Sequence, residues 1–193
     1  MNLADRFMPT PEFSERHARV IDAPRDAVWD AVTDFSFRDL RLAAPLFAAR
    51  AVIGIAANGP RYRTPKGEMF IPLAQDQGRQ RVFGLLGRWW RFGGADARAD
   101  IRDAETFEAF DEPGYGKAIL VFELEDAGPG RTRVVTRTRV VTTDAGAHRA
   151  MARYWRLIRP GSGFIRHLML ASVDRRARAA ASAANEPWSS EPV

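Results

Sequence analysis

The sequence predicts an α+β domain in which a curved antiparallel β-sheet wraps around a long C-terminal α-helix, with an apolar cavity between the two. Three observations predict it. Residues 131–142 alternate almost without exception, with Arg131, Arg133, Arg137 and Arg139 on one face against Thr132, Val134, Thr136, Thr138, Val140 and Thr142 on the other. Residues 117–125 alternate as well, and Gly128-Pro129-Gly130 joins the two runs as an antiparallel hairpin. From Ala145 to Ile158, and again from Phe164, apolar residues recur at helical spacing.

Each element follows in order. Residues 1–12 carry Pro9 and Pro11 and no periodicity, and read as a leader lying on the surface. Residues 13–21 form a strand whose buried face the loose alternation leaves open. Asp22-Ala23-Pro24 marks a change of state: Asp22 can cap a helix, and Pro24 suits its first turn because the missing N–H would be unpaired there. Val28, Ala31, Val32 and Phe35 then make one apolar stripe. A second helix is predicted over residues 38–49. Short strands follow over 51–56, 68–74 and 80–86, punctuated by Asn58-Gly59-Pro60, Pro65-Lys66-Gly67 and Asp76-Gln77-Gly78. The stretch from Gly87 to Gly94, with Trp89, Trp90 and Phe92, continues the sheet and breaks into a loop. Phe107 and Phe110, three apart behind Asp103, favour a short helix.

In the first hairpin strand Ala118, Leu120, Phe122 and Leu124 share one face, and Lys117, Glu123 and Glu125 share the other with Ile119 and Val121. One side of the sheet is expected to meet a core and the other water, with Glu and Arg pairing across the wet side. Thr142-Thr143-Asp144 supplies an N-cap for the last helix. Pro160, Gly161 and Gly163 break or kink it before Phe164, Ile165, Leu168, Met169, Ser172 and Val173 resume the stripe. Residues 185–193 read as a flexible tail, which leaves 13–184 as a single domain.

Composition narrows the function classes. A chain of 193 residues with 46% apolar content holds one sizeable core. It has no cysteine, so thiolate chemistry and disulfides are excluded. The net charge is +5, but Lys66 and Lys117 are the only lysines and the arginines are spread along the chain. A scattered positive charge does not make a nucleic-acid footprint, so no nucleic-acid partner is expected. No secretory leader and no apolar run of membrane-spanning length appears, so a cytoplasmic protein without integral membrane association is expected. Oligomeric state is not legible.

The junction Arg19-Val20-Ile21-Asp22-Ala23-Pro24-Arg25-Asp26-Ala27-Val28-Trp29 resembles the opening of the START/SRPBCC helix-grip superfamily. That superfamily includes lipid-transfer domains, plant hormone receptors and polyketide cyclase/dehydrase-type proteins. The stretch from Tyr154 through Trp155, Pro160 and Gly163 to Arg166, with Phe110-Asp111-Glu112-Pro113-Gly114-Tyr115, resembles a bacterial branch of it. The resemblance covers about residues 12 to 180. It implies the helix-grip fold and a ligand cavity, while the superfold hosts binding, transport and catalysis alike.

The first functional reading is a binding protein for a small hydrophobic or lipid-like molecule held between sheet and terminal helix. Its candidate lining is Leu120, Phe122, Thr136, Thr138, Tyr154, Ile165, Leu168 and Met169, with Trp90 at the mouth. The threonine hydroxyls would orient a polar group on an otherwise apolar ligand; threonine also simply suits strands. The alternative is an enzyme of polyketide cyclase/aromatase type in which Tyr154 or His167 shuttles a proton. A third reading is a surface interaction module that uses the arginine face of residues 131–139. His17, His148 and His167 show no metal-ligand spacing, so neither a metal nor a cofactor is expected.

Overall fold

The computed structural model describes residues 2–35, 70–91 and 101–184, with residues 48, 52 and 56 as isolated positions. Positions 48, 52 and 56 have helical backbone, so the strand expected over 51–56 is not formed at 52 and 56. A short apolar run does not by itself distinguish strand from helix. The rest of that segment, the rest of the helix over 38–49, the turns at 58–60 and 65–67, residues 68–69 and 92–94, and the tail lie outside the described residues.

The described elements are α1 (Leu3–Phe7), β1 (Phe13–Ile21), α2 (Arg25–Thr33), β2 (Ile71–Asp76), β3 (Gln80–Gly87), α3 (Ala104–Ala109), β4 (Gly116–Asp126), β5 (Thr132–Thr142) and α4 (Ala145–Ala184). The strands form one five-stranded sheet in the order β1-β5-β4-β3-β2, and every neighbouring pair is antiparallel. Helix α4 lies over β1 and β5, and α2 packs against α4 and β4. This is the α+β, helix-grip arrangement that the order of elements predicted.

Turn chemistry sets the hairpins. Gly78 has φ +69° between β2 and β3, and Gly128 and Gly130 have φ +102° and +66° between β4 and β5. Left-handed backbone of this kind favours glycine. Asp126 accepts from the Gly128 N–H at 3.0 Å and fixes the second turn.

Asp103 caps α3 through a box in which its carboxylate accepts from the Thr106 N–H at 2.8 Å. Asp144 caps α4, accepting from the N–H groups of Gly146 at 2.6 Å and Ala147 at 2.9 Å. It also accepts from the Gly114 N–H and so ties the loop before β4 to the helix. These hydrogen bonds, with Ala147 first and Gly114 next, hold the Asp144 carboxyl below its ordinary value of 3.8.

Three expectations are corrected by local packing. Asp22 does not cap α2: Pro24 occupies the N-cap without a side-chain bond, and Asp22 pairs with Arg178 at 2.9 Å. Helix α4 is not broken at Pro160; its 40 residues run continuously through Pro160, Gly161 and Gly163. The missing proline N–H costs one intrahelical hydrogen bond, and the packing on either side holds the helix together. Trp89 and Trp90 do not extend β3 but form a turn of 3₁₀-helix from Trp89 to Arg91.

The sheet is covered on both sides, which also departs from expectation. On its inner face Leu120, Phe122, Leu124, Val134, Met169 and Leu170 join α2 residues Val28, Trp29 and Val32 in the main core. On the outer face Ile119, Val121 and Val82 are buried with Phe107 and Phe110, and with Ala4 and Met8. The segment read as a surface leader is therefore a strap across the back of the sheet. Its pattern was too short to stand out: Leu3, Ala4, Phe7 and Met8 pack inward over little more than one helical turn. Arg139 is drawn under the same strap, donating to Asp5 at 2.6 Å and to the Met8 carbonyl at 2.7 Å. Arg137 pairs with Glu123 at 3.2 Å. The arginine face of β5 is thus partly committed to its own chain.

Candidate functional site

Cross-strand register makes the inner face of the sheet a graded surface. Directly opposed residues in an antiparallel pair point to the same side. One row therefore runs Glu15 on β1, Thr138 on β5, Leu120 on β4 and Phe83 on β3. The next runs His17, Thr136, Phe122 and Arg81. Both rows begin with ionisable groups at the β1 edge and pass through hydroxyls. They reach apolar side chains on β4, and the first continues to Phe83.

Helix α4 closes the polar end. The Arg166 guanidinium donates from Nη2 to Thr138 Oγ1 at 2.9 Å, and Ser162 donates to Glu15 Oε2 at 3.2 Å. The imidazoles of His17 and His167 meet edge-to-face, with centroids 5.1 Å apart. Gly163 lies beside this pair, where a Cβ would make ordinary contact, 3.4 Å from Glu15 Oε1 and 3.5 Å from His17 Cε1. His17 Nε2 lies 3.0 Å from Glu15 Oε1. The two atoms are not aligned for a hydrogen bond, and Nε2 makes none. The contact is therefore a charge contact, whose strength depends on the imidazole being protonated.

Several polar atoms on β5 and α4 are hidden and unmatched. Arg166 Nε, Thr136 Oγ1 and Ser172 Oγ are inaccessible and have no hydrogen-bond partner. Burial lowers the Arg166 guanidinium to about 10, against the opposing pull of Glu15, and leaves it a cation at neutral pH.

The apolar end is less completely filled. Leu120, Phe122 and Met169 are closed to solvent, at 1%, 2% and 0% exposure. The space beneath Met169 is therefore packed rather than hollow. Around this floor Phe35, Phe70, Phe83, Leu85, Ile165 and Leu168 are only partly buried. Phe83 stacks edge-on with Phe70 and Phe122 at 6.2 and 6.4 Å between centroids. The accessible apolar surface lies on the β3 side of α4.

The predicted site residues thus fall into two groups. Leu120, Phe122, Ile165, Leu168 and Met169 belong to one apolar cluster, and Thr136 and Thr138 adjoin it through the register. Tyr154 and Trp90 belong to another cluster, packed on Ala118, Val140 and Met151 with Trp89, Trp155 and Phe13. Leu85 touches both. His167 is exposed, at the rim beside His17. Glu15, His17 and Arg166 went unread as site residues. The signal for the first two was their shared parity on a strand whose inner face the alternation left open.

Two open hollows lie elsewhere, one of about 510 Å³ at the β4–β5 turn beside Pro24, Arg25 and Thr132, the other of about 210 Å³ along Pro72–Gln75. The first includes no residue of the two inner-face rows, and the second shares only Arg81, at the far end of one row. Among the described residues no cluster of three or more acidic or histidine side chains could hold a metal ion, and no helix is long and apolar enough to cross a membrane.

No family model and no curated protein matches the chain. Among solved structures it is similar to the Zhui aromatase/cyclase of a Streptomyces species, with 16% identity, 87% of this chain and 97% of that one covered, and a TM-score of 0.37. It is also similar to a hypothetical protein of Helicobacter pylori, with 8% identity, 90% and 93% covered, and a TM-score of 0.43. A third is CalU16 of Micromonospora echinospora, with 17% identity, 88% and 86% covered, and a TM-score of 0.29.

Proposed function

We propose that the protein binds a small, mainly hydrophobic molecule on the inner face of its sheet, between α4 and β3. The observation that carries this reading is the graded surface: charged at β1, hydroxylated at β5, apolar at β4, with Phe83 continuing the apolar side on β3. Partly accessible Leu85, Ile165 and Leu168 supply apolar contact, where most binding free energy arises. Threonines orient whatever polar group the ligand carries.

A neutral dye such as Nile red tests this. It should bind the native protein with enhanced, blue-shifted emission, and Leu168→Trp should abolish the signal by filling the space beside Ile165. Undiminished dye binding by a folded Leu168→Trp variant would remove this surface as the site.

A second reading is favoured by one observation, the Glu15–His17 contact with His167 alongside. A carboxylate that controls an imidazole's proton can serve acid–base chemistry of the cyclase/aromatase kind. Under that reading His17→Gln stops cyclisation of a short poly-β-ketone thioester while Nile red binding persists. No cyclised product from the native protein would leave binding alone.

A further inference from the structure

We propose that Arg166, Thr136 and His17 form a headgroup subsite for an anionic acceptor, so that the ligand is a hydrophobic carboxylic acid rather than a neutral molecule. This rests on the binding reading above and names the chemistry of its polar end.

Buried polar groups in folded proteins are almost always hydrogen-bonded, and a hidden unmatched one calls for an explanation. Here Arg166 Nε and Thr136 Oγ1 are both hidden and unmatched. Arg166 has one oxygen partner, Thr138, and otherwise a sulfur contact to Met169 at 4.0 Å. A guanidinium carries five N–H donors in a fork shaped to a carboxylate. Thr136 belongs to the same cluster through its register with His17, and it lies opposite Phe122 on β4. Arg166 Nε can only donate and the Thr136 hydroxyl can donate as well as accept, so an acceptor would match both.

Glu15 is the one acid among these groups, and it is already engaged. Its two oxygens face Ser162 at 3.2 Å and His17 at 3.0 Å. Glu15 also attracts the Arg166 cation, but it takes no hydrogen bond from the guanidinium, which leaves the hidden Nε–H to a ligand acceptor. The apolar body of that ligand would then point away from β1, toward the partly accessible Phe83 and Leu168.

The test compares two probes with one apolar body, pyrenebutyric acid and pyrenebutanol, titrated by fluorescence against the full chain. A charge-assisted fork should give the acid about a tenfold or greater preference. In Arg166→Gln that preference should fall to about one, checked against an unchanged far-UV circular dichroism spectrum. If that variant does not fold, Thr136→Val and Arg166→Lys take its place, and each should cut the preference severalfold. Equal affinity of the native protein for acid and alcohol overturns the subsite and leaves the apolar site standing. Binding of neither probe overturns both. An undiminished preference in the folded variants also overturns the assignment.

Discussion

At the scale of single residues, close contacts explain positions that composition alone leaves blank. Gly116 and Gly87 face each other across β3 and β4, and the Trp89 indole rests on both. A Cβ at Gly116 would lie 2.7 Å from Trp89 Cζ3 and 3.3 Å from Trp90 Cζ3. Gly116→Ala is therefore expected to displace the indole and lower stability by about 1–3 kcal/mol. The check is a denaturant midpoint together with a red shift of tryptophan emission.

Asp144 makes a prediction about pH. Its folded value lies below the ordinary 3.8 because backbone N–H groups favour the carboxylate. A depressed carboxyl stabilises the fold above its unfolded value and loses that contribution as pH falls through the folded one. The stability gap between native protein and Asp144→Asn should be constant near neutrality and shrink as pH falls below about 4. A gap that widened toward acid would contradict this.

The cap itself was readable in Thr142-Thr143-Asp144, since capping is a local rule. The roles of Glu15, His17 and Arg166 were not. They depend on which side of β1 meets α4, and that is decided by tertiary packing.

At the scale of elements, α4 and β1 are joined along a seam of alternate strand residues. Phe13 meets Trp155, with centroids 5.7 Å apart; Glu15 meets Ser162; His17 meets His167; and Arg19 meets Asp174 at 2.8 Å. Asp174 is 6% exposed and also accepts from Arg178 at 2.6 Å. Asp174→Ala should cost about 1 kcal/mol, because it removes the carboxylate partner of Arg19 and one of the two carboxylates on Arg178, both cations being half-exposed. Thermal melting of the variant measures the loss.

The strap formed by α1 makes a contrasting prediction. Met8 is 2% exposed against the outer face, so Met8→Ala should lose about 2–4 kcal/mol. A loss of a few tenths would return the segment to the surface role its sequence suggested. The strands and hairpins were legible because period-two alternation is a strong local signal. The strap was not, because its inward residues Leu3, Ala4, Phe7 and Met8 span little more than one helical turn. The continuous path of α4 through Pro160 was hidden for a related reason: helix-breaking residues speak for themselves, while the packing that overrides them does not.

At the scale of the whole molecule, the account depends on one asymmetry. The inner face is sealed and polar under the middle of α4 and apolar and partly open toward β3. The strand-rich middle and the long final helix were enough to foresee that a sheet and a helix would enclose something. They were not enough to foresee that Met169 fills the space beneath the helix and shifts the open surface sideways. Nor did they separate Tyr154 and Trp90 from the apolar cluster around Phe122. On the proposed reading a ligand on the β3 side rests on Ile165 and Leu168, while Tyr154 packs in the other cluster.

Native mass spectrometry of freshly purified protein tests this asymmetry most directly. The account predicts an adduct of small-molecule mass on the native chain that is lost from Leu168→Trp and kept in Tyr154→Phe. An adduct kept by Leu168→Trp and lost from Tyr154→Phe would contradict it.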